Sequence, residues 1–125
     1  MSDVVLQTNH RKSLVIQVTQ DPRASHRPAE ALRLAAGLAA WQEVRVVLYC
    51  VGGGVWLLRS PWHTMREGDV LRQALTAFLE AGGVVAGTHE AEWGADQFEA
   101  GLGAMVGAEP FTENDFLRAD AWLRF

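Results

Sequence analysis

The chain has 125 residues, a formal net charge of −4 and a single cysteine. A chain of this length forms one domain with a sizeable core and needs no metal or disulfide to hold it together. Acidic and basic residues are interspersed, so the composition argues against nucleic acid as a partner. One cysteine forms no internal disulfide, and no stretch resembles a signal peptide or a membrane span. We therefore expect a cytoplasmic protein that does not associate with membranes.

The first half of the chain alternates between strand and helix patterns. The β-branched run from Ser13 to Val18 predicts a strand that is buried on both faces. Pro28 suits the first turn of a helix that continues to Trp41, and its alanine- and leucine-rich sequence requires cover on more than one side. The run from Val44 to Cys50 predicts a second strand, which ends at three glycines.

The second half has weaker patterns after residue 87. Residues 55–58 predict a short helix or turn, and Asp69 is expected to cap a helix that ends at Gly82 and Gly83. Val84 to Gly87 is a predicted third strand. The remaining predicted elements are a helix over 95–102, a weak strand over 104–106, a short helix capped by Thr112 with Glu113, and a closing strand over 121–125.

Strands separated by helices indicate βαβ crossovers, hence an α/β fold with a mainly parallel sheet. We predict a three-layer α/β/α sandwich with five strands, formed by residues 13–125 after an N-terminal extension of residues 1–12. Ligands of such sheets bind outside the carboxyl ends of the strands. That rule selects three loops for function, over residues 19–27, 50–54 and 87–93.

Cys50 and the glycines that follow it are the first candidate site. Gly52, Gly53 and Gly54 either form a tight packed turn or present their N–H groups to an anion, although no nucleotide-binding fingerprint is present. Cys50 is either a small packed residue or, at a helix N-terminus, a nucleophile with a lowered pKa. We favour packing in both cases.

The other two loops carry polar candidates. Arg23, Ser25, His26 and Arg27 either bind an anionic group beside the next helix or are simply solvated. Beyond the third strand, Thr88, His89, Glu90 and Glu92 suggest a ligand site or acid–base chemistry, with a solvated loop as the alternative. Their spacing is a weak metal signal, so we predict neither a metal nor a cofactor. Three tryptophans near these loops suit either a recognition surface or the core: Trp56, Trp62 and Trp93.

The order of segments resembles the DsrE/DsrF-like family, which includes the TusB, TusC and TusD sulfur-relay subunits. The resemblance rests on Leu14 to Thr19, Ala29 to Ala35, Val44 to Tyr49 followed by Gly54-Val55, and Ala119 to Phe125. It spans nearly the whole domain through diffuse apolar patterns. It implies a five-stranded mainly parallel sheet and a homo- or hetero-oligomer.

Active members of that family carry a persulfide on a cysteine in the loop after the third main strand. That position falls on residues 85–89 here, where no cysteine stands. A persulfide requires a thiolate, and threonine or histidine does not replace it. The resemblance therefore implies a member that lacks the usual sulfur-carrier cysteine.

Three functional hypotheses follow from the sequence. The preferred one is a non-catalytic binding or assembly subunit, a homo-oligomer such as a trimer or hexamer, which binds a partner protein or a small anionic ligand. The apolar helix over residues 29–40 motivates the oligomer. The alternative is a sulfurtransferase-like persulfide carrier that uses Cys50, with His89 or Arg27 favouring its thiolate. A third is an acid–base enzyme that uses His89 and Glu92.

Overall fold

A computed structural model describes residues 12–59, 61–87, 109–110 and 118–125. The described strands are β1 (Lys12–Val18), β2 (Val44–Cys50), β3 (Val84–Gly87), β4 (Glu109–Pro110) and β5 (Ala121–Arg124). The helices are α1 (Arg27–Trp41), α2 (Trp56–Arg59) and α3 (Gly68–Glu80), with 3₁₀ turns at Gly52–Val55 and Trp62–Thr64. No described helix has the length and apolar character needed to cross a membrane.

The strands form a parallel sheet in the order β4-β3-β2-β1-β5. Four of them have four or more residues, whereas β4 is a two-residue pairing beside the end of β3. The predicted α/β class and parallel pairing are therefore confirmed. The DsrE-like topology and the complete five-stranded sandwich stay predictions.

The hydrophobic core lies between one face of the sheet and the helices. Alternate residues of each strand point to this face, because successive side chains of a strand point to opposite sides. They pack with the buried positions of α1 and α3 in one cluster, which includes Ile16, Leu32, Leu48, Leu71, Leu75, Phe78 and Val85. On the second face Val15, Tyr49 and Ala86 are also buried, as expected for central parallel strands. The third layer predicted for that face stays a prediction.

The structure corrects the predicted start of α3 and confirms its predicted end. Asp69 does not cap the helix, because the helix begins at Gly68 and Glu67 occupies the N-cap position. The helix thus starts two residues earlier than the pattern indicated, and Gly68 lies against the main-chain oxygen of Trp62, where a Cβ would clash. Asp69 still lies in the first turn, where a carboxylate favours the helix dipole. Gly82 follows the helix with a φ of +92°, which confirms the predicted glycine stop.

Several predicted elements lie outside the described residues: the helix over 95–102, the strand over 104–106 and the cap formed by Thr112 and Glu113. The strand over 121–125 is confirmed as β5, which pairs in parallel with β1. The short element over residues 55–58 is confirmed as the junction of a 3₁₀ turn and α2. The pairing of Glu109–Pro110 with β3 had no counterpart in the sequence patterns.

We predict that Gly54→Ala destabilises the fold strongly. A Cβ at position 54 would overlap the main-chain oxygen of Val18, so the turn or the end of β1 must shift. We expect a loss of about 2 kcal/mol or more in the free energy of unfolding, measured by urea denaturation. Gly37→Ala is the matched control, because a Cβ there meets nothing within 4 Å. It should leave stability unchanged or raise it by about 1 kcal/mol. Equal effects of the two changes would contradict the packing argument.

Candidate functional site

The carboxyl ends of β1, β2 and β3 lie side by side, because the three strands are parallel and in register. Cys50 is the last residue of β2, and its register partners are Val18 on one side and Gly87 on the other. The loops after β1 and β2 therefore adjoin, as the sequence predicted for a shared edge. The loop after β3, with Thr88, His89, Glu90, Glu92 and Trp93, lies outside the described residues.

The glycine turn folds back onto the end of β1. The Val51 N–H donates to the Val18 main-chain oxygen at 3.1 Å, and the Gly54 N–H donates to the Val51 oxygen at 3.0 Å. Gly54 lies so close to the Val18 carbonyl that no side chain fits between them. This geometry favours the interpretation of Gly52, Gly53 and Gly54 as a packed turn. Their role as an anion cradle stays a prediction.

Cys50, which precedes this turn, is buried in the core. Its side chain is 0% exposed and belongs to the hydrophobic cluster between the sheet and the helices. Burial raises the pKa of the Cys50 thiol to about 12, because an apolar surrounding does not solvate a thiolate. The residue is therefore held as a neutral thiol, which favours the packing interpretation over a nucleophilic one.

Arg23 forms an ion pair with Asp21 inside the loop that follows β1. Its Nη2 donates to Asp21 Oδ2 at 2.7 Å, and its main-chain N–H donates to Asp21 Oδ1 at 2.9 Å. Hydrogen bonds from the guanidinium hold the pKa of Asp21 below its usual value. The guanidinium also stacks over Trp56, 4.3 Å from the ring centroid. Arg23 thus links the loop after β1 to the helix after the glycine turn.

The side chains of Ser25 and Arg27 make contacts within the chain at the start of α1. The Ser25 hydroxyl accepts a hydrogen bond from the Arg27 N–H at 3.1 Å, so it occupies one of the N–H groups that an anion would otherwise bind. The Arg27 guanidinium lies over the Phe125 ring, 5.1 Å from its centroid, and 3.8 Å from Glu30 Oε2. Both candidate side chains therefore have partners within the chain. Anion binding by this loop stays a prediction.

His26 joins a three-membered cluster that the sequence did not reveal. Its Nδ1 lies 3.2 Å from Glu67 Oε2, and Arg33 Nη2 donates to Glu67 Oε1 at 2.9 Å. Hydrogen bonding to His26, together with Arg33, holds the pKa of Glu67 below its usual value. Glu67 adopts a φ of +55°, a left-handed conformation that is costly for a residue with a side chain. Contacts with His26 and Arg33 hold this strained residue at the start of α3.

The tryptophans divide between the two interpretations that the sequence left open. Trp62 is half-buried and packs against the hydrophobic cluster, with Arg72 over its ring at 5.2 Å. Trp56 is 36% exposed beside Arg23, so it faces solvent at the carboxyl edge. Of these two side chains, only Trp56 suits a recognition surface.

Two cavities lie away from the carboxyl edge. One, of about 370 Å³, lies at the opposite edge of the sheet between the starts of β2 and β3, near Arg45 and Gly83. The other, of about 390 Å³, is an open groove along the outer side of α3, near Arg72 and Glu80. Across the described parts of the chain, no group of three or more His, Cys, Asp or Glu side chains is placed to hold a metal ion.

Sequence reasoning missed Asp21, Glu67 and Phe125 as partners of the candidate residues. Asp21 was detectable, because an aspartate two residues before an arginine in a turn commonly accepts its main-chain N–H. Glu67 and Phe125 are distant in sequence from His26 and Arg27, so no local pattern connects them.

No family model matches the chain, and no curated protein matches its sequence.

We predict that Glu67→Gln lowers stability at neutral pH and that this difference disappears in acid. A lowered pKa in the folded protein means that the carboxylate stabilises the fold above the usual glutamate pKa of about 4.3. That contribution is lost as the pH falls through the lowered value. Urea denaturation between about pH 6 and pH 3 measures the difference. Glu43→Gln, at an exposed position between the end of α1 and the start of β2, is the control. A difference that grows in acid would contradict the arrangement.

Proposed function

We propose that this protein is a non-catalytic binding or assembly subunit of the DsrE/DsrF-like type, and not a carrier of sulfur. The supporting observation is the complete burial of Cys50, the chain's one thiol. A subunit of this kind acts through its surfaces, with a protein or a small anionic ligand as its partner. The proposed setting is the cytoplasm.

Sulfur transfer makes two demands that Cys50 meets poorly. The thiolate must attack a donor, and the resulting persulfide must reach an acceptor. A side chain with no exposed surface reaches neither, and its raised pKa keeps it protonated near neutral pH. Both effects arise from the burial of Cys50 in the hydrophobic cluster between the sheet and the helices. They support a packing role for the sulfur.

Exposed apolar side chains support the binding role. The largest described ones are Leu34, Trp41, Trp56, Trp122 and Leu123. Tryptophan is enriched at the energetic centres of protein interfaces, since it buries a large area with few rotamers. Trp41 is 63% exposed at the end of α1, where the helix carries no basic residue in its last turn. These side chains favour contact with another protein surface over contact with solvent.

We predict that Cys50 does not react in the native protein. Iodoacetamide should label it at neutral pH only after denaturation in urea, measured by intact-mass spectrometry. The reason is that labelling requires a thiolate that the reagent can contact. Cys50→Ala is the matched blank, because it reports any label taken up elsewhere.

Two results would contradict the proposed function. One is labelling of the native protein as fast as labelling of the unfolded chain. The other is a stable gain of one sulfur atom on Cys50 after incubation with a sulfane-sulfur donor, followed by its loss to a thiol acceptor. Either result would favour the persulfide carrier.

A further inference from the structure

The helices α1 and α3 pack against each other and run in the same direction. Because α1 leads from β1 to β2, α3 precedes β3 and the strands are parallel, both helices begin at the carboxyl edge of the sheet and end at the opposite edge. In the described part of the chain, two residues other than glycine have a positive φ: Glu67 at +55° and Gln42 at +68°. Glu67 precedes α3 and Gln42 follows α1, so these left-handed residues mark opposite ends of the helix pair.

At the opposite edge, the ends of the two helices are held by main-chain groups and packing. Gln42 Nε2 donates to the Ala81 oxygen at 3.1 Å, which ties the end of α1 to the end of α3. The Gly83 N–H donates to the Phe78 oxygen at 2.8 Å, and Gly83 packs directly against the buried Phe78 ring. Opening this end would therefore expose a core side chain, which is costly.

At the carboxyl edge, the two helices are joined by side chains that water reaches. The Glu67 carboxylate lies 3.2 Å from His26 Nδ1 and 2.9 Å from Arg33 Nη2. The side chains of His26 and Arg33 are more than half exposed, and the Glu67 side chain is 32% exposed. Contacts between charged groups that are this exposed stabilise a fold only weakly. This end of the helix pair is therefore the easier one to open.

The left-handed backbone of Glu67 opposes these contacts. A left-handed conformation costs free energy for any residue that has a Cβ, and this cost is similar in size to what an exposed ion pair contributes. The closed arrangement of this segment is therefore only slightly favoured over one in which Glu67 has relaxed.

Two main-chain hydrogen bonds depend on the backbone of this segment. The Leu71 N–H donates to the Glu67 oxygen at 2.9 Å, which forms the first turn of α3. The Arg66 N–H donates to the Pro22 oxygen at 2.8 Å, which ties the segment to the loop after β1. Relaxation of Glu67 out of the left-handed region would reorient the chain on both sides of it and break both bonds.

We infer that Glu67 is the latch of a local opening, in which the first turn of α3 separates from α1 and from the loop after β1 while the opposite end of the helix pair stays closed. The loop also carries Arg23, whose guanidinium stacks over Trp56. The latch therefore links the start of α3 to the exposed tryptophan of the carboxyl edge. It is independent of the proposed function, because neither Cys50 nor its reactivity takes part in it.

Native-state hydrogen exchange, followed by NMR for each amide and corrected for intrinsic rates, tests the latch. Glu67→Ala removes the contacts and keeps the strain, so the amides of Arg66 and Leu71 should exchange about tenfold faster than in the wild type. Glu67→Gly removes the strain as well, so the increase should be about threefold or less. The amides of Ile16 and Leu48, in the sheet, should keep their wild-type rates in both variants, because the opening is local.

Gln42→Gly is the matched control at the other end of the helix pair. It suits the left-handed position and removes the side chain that reaches Ala81. The Gly83 amide should keep its wild-type rate within about twofold, because its main-chain bond and the Phe78 ring hold this end closed.

The latch would be overturned by wild-type exchange at Leu71 in Glu67→Ala. An acceleration of equal size at Leu71, Ile16 and Leu48 would also overturn it, because that result reports global unfolding. So would faster exchange in Glu67→Gly than in Glu67→Ala, which would remove the role of strain. Opening at Gly83 in Gln42→Gly as large as that at Leu71 in Glu67→Ala would contradict the difference between the two ends.

Discussion

The close approach of the Gly52–Val55 turn to the end of β1 is the contact on which the carboxyl edge depends. Gly54 lies against the Val18 carbonyl at a distance that excludes any side chain, and Val51 donates a hydrogen bond to the same oxygen. The turn therefore packs against the end of β1. Cys50, which precedes it, is buried in the hydrophobic cluster, and Trp56, which follows it, lies beside Arg23.

The polar candidate side chains of the loop after β1 have partners within the chain. Arg23 forms an ion pair with Asp21, and the Arg27 guanidinium lies over the Phe125 ring. The His26 ring lies within hydrogen-bonding distance of the Glu67 carboxylate. Such pairs stabilise exposed loops modestly and position them relative to one another. Groups engaged in this way would have to give up a partner to bind an anion. In the described part of this edge, these contacts therefore fix the positions of the loops relative to one another.

The edge of the sheet formed by β5 carries exposed apolar side chains. β5 leaves Trp122 and Leu123 exposed, and Leu34 and Trp41 are exposed on α1. Exposed apolar area of this kind is unfavourable in water, and covering it with protein provides a driving force for association. Exposed apolar side chains therefore remain on β5 and α1, whereas the described loops after β1 and β2 pack against each other.

Local patterns in the sequence predicted β1, α1, β2, β3 and β5 close to their observed bounds, because buried parallel strands and apolar helices have continuous signals. The start of α3 was predicted two positions late, since the side chains that contact its N-cap residue Glu67, His26 and Arg33, are distant from it in sequence. The two-residue β4 has no periodicity to detect.

By itself the sequence determined the α/β class, the order of the described elements, the excess of apolar residues on α1 and the presence of a single thiol. Only the tertiary structure decided that Cys50 is buried and that Arg23, His26 and Arg27 have partners within the chain. The physical reason is that periodicity determines which face of an element is apolar, whereas burial and pKa depend on neighbours that fold in from elsewhere in the chain.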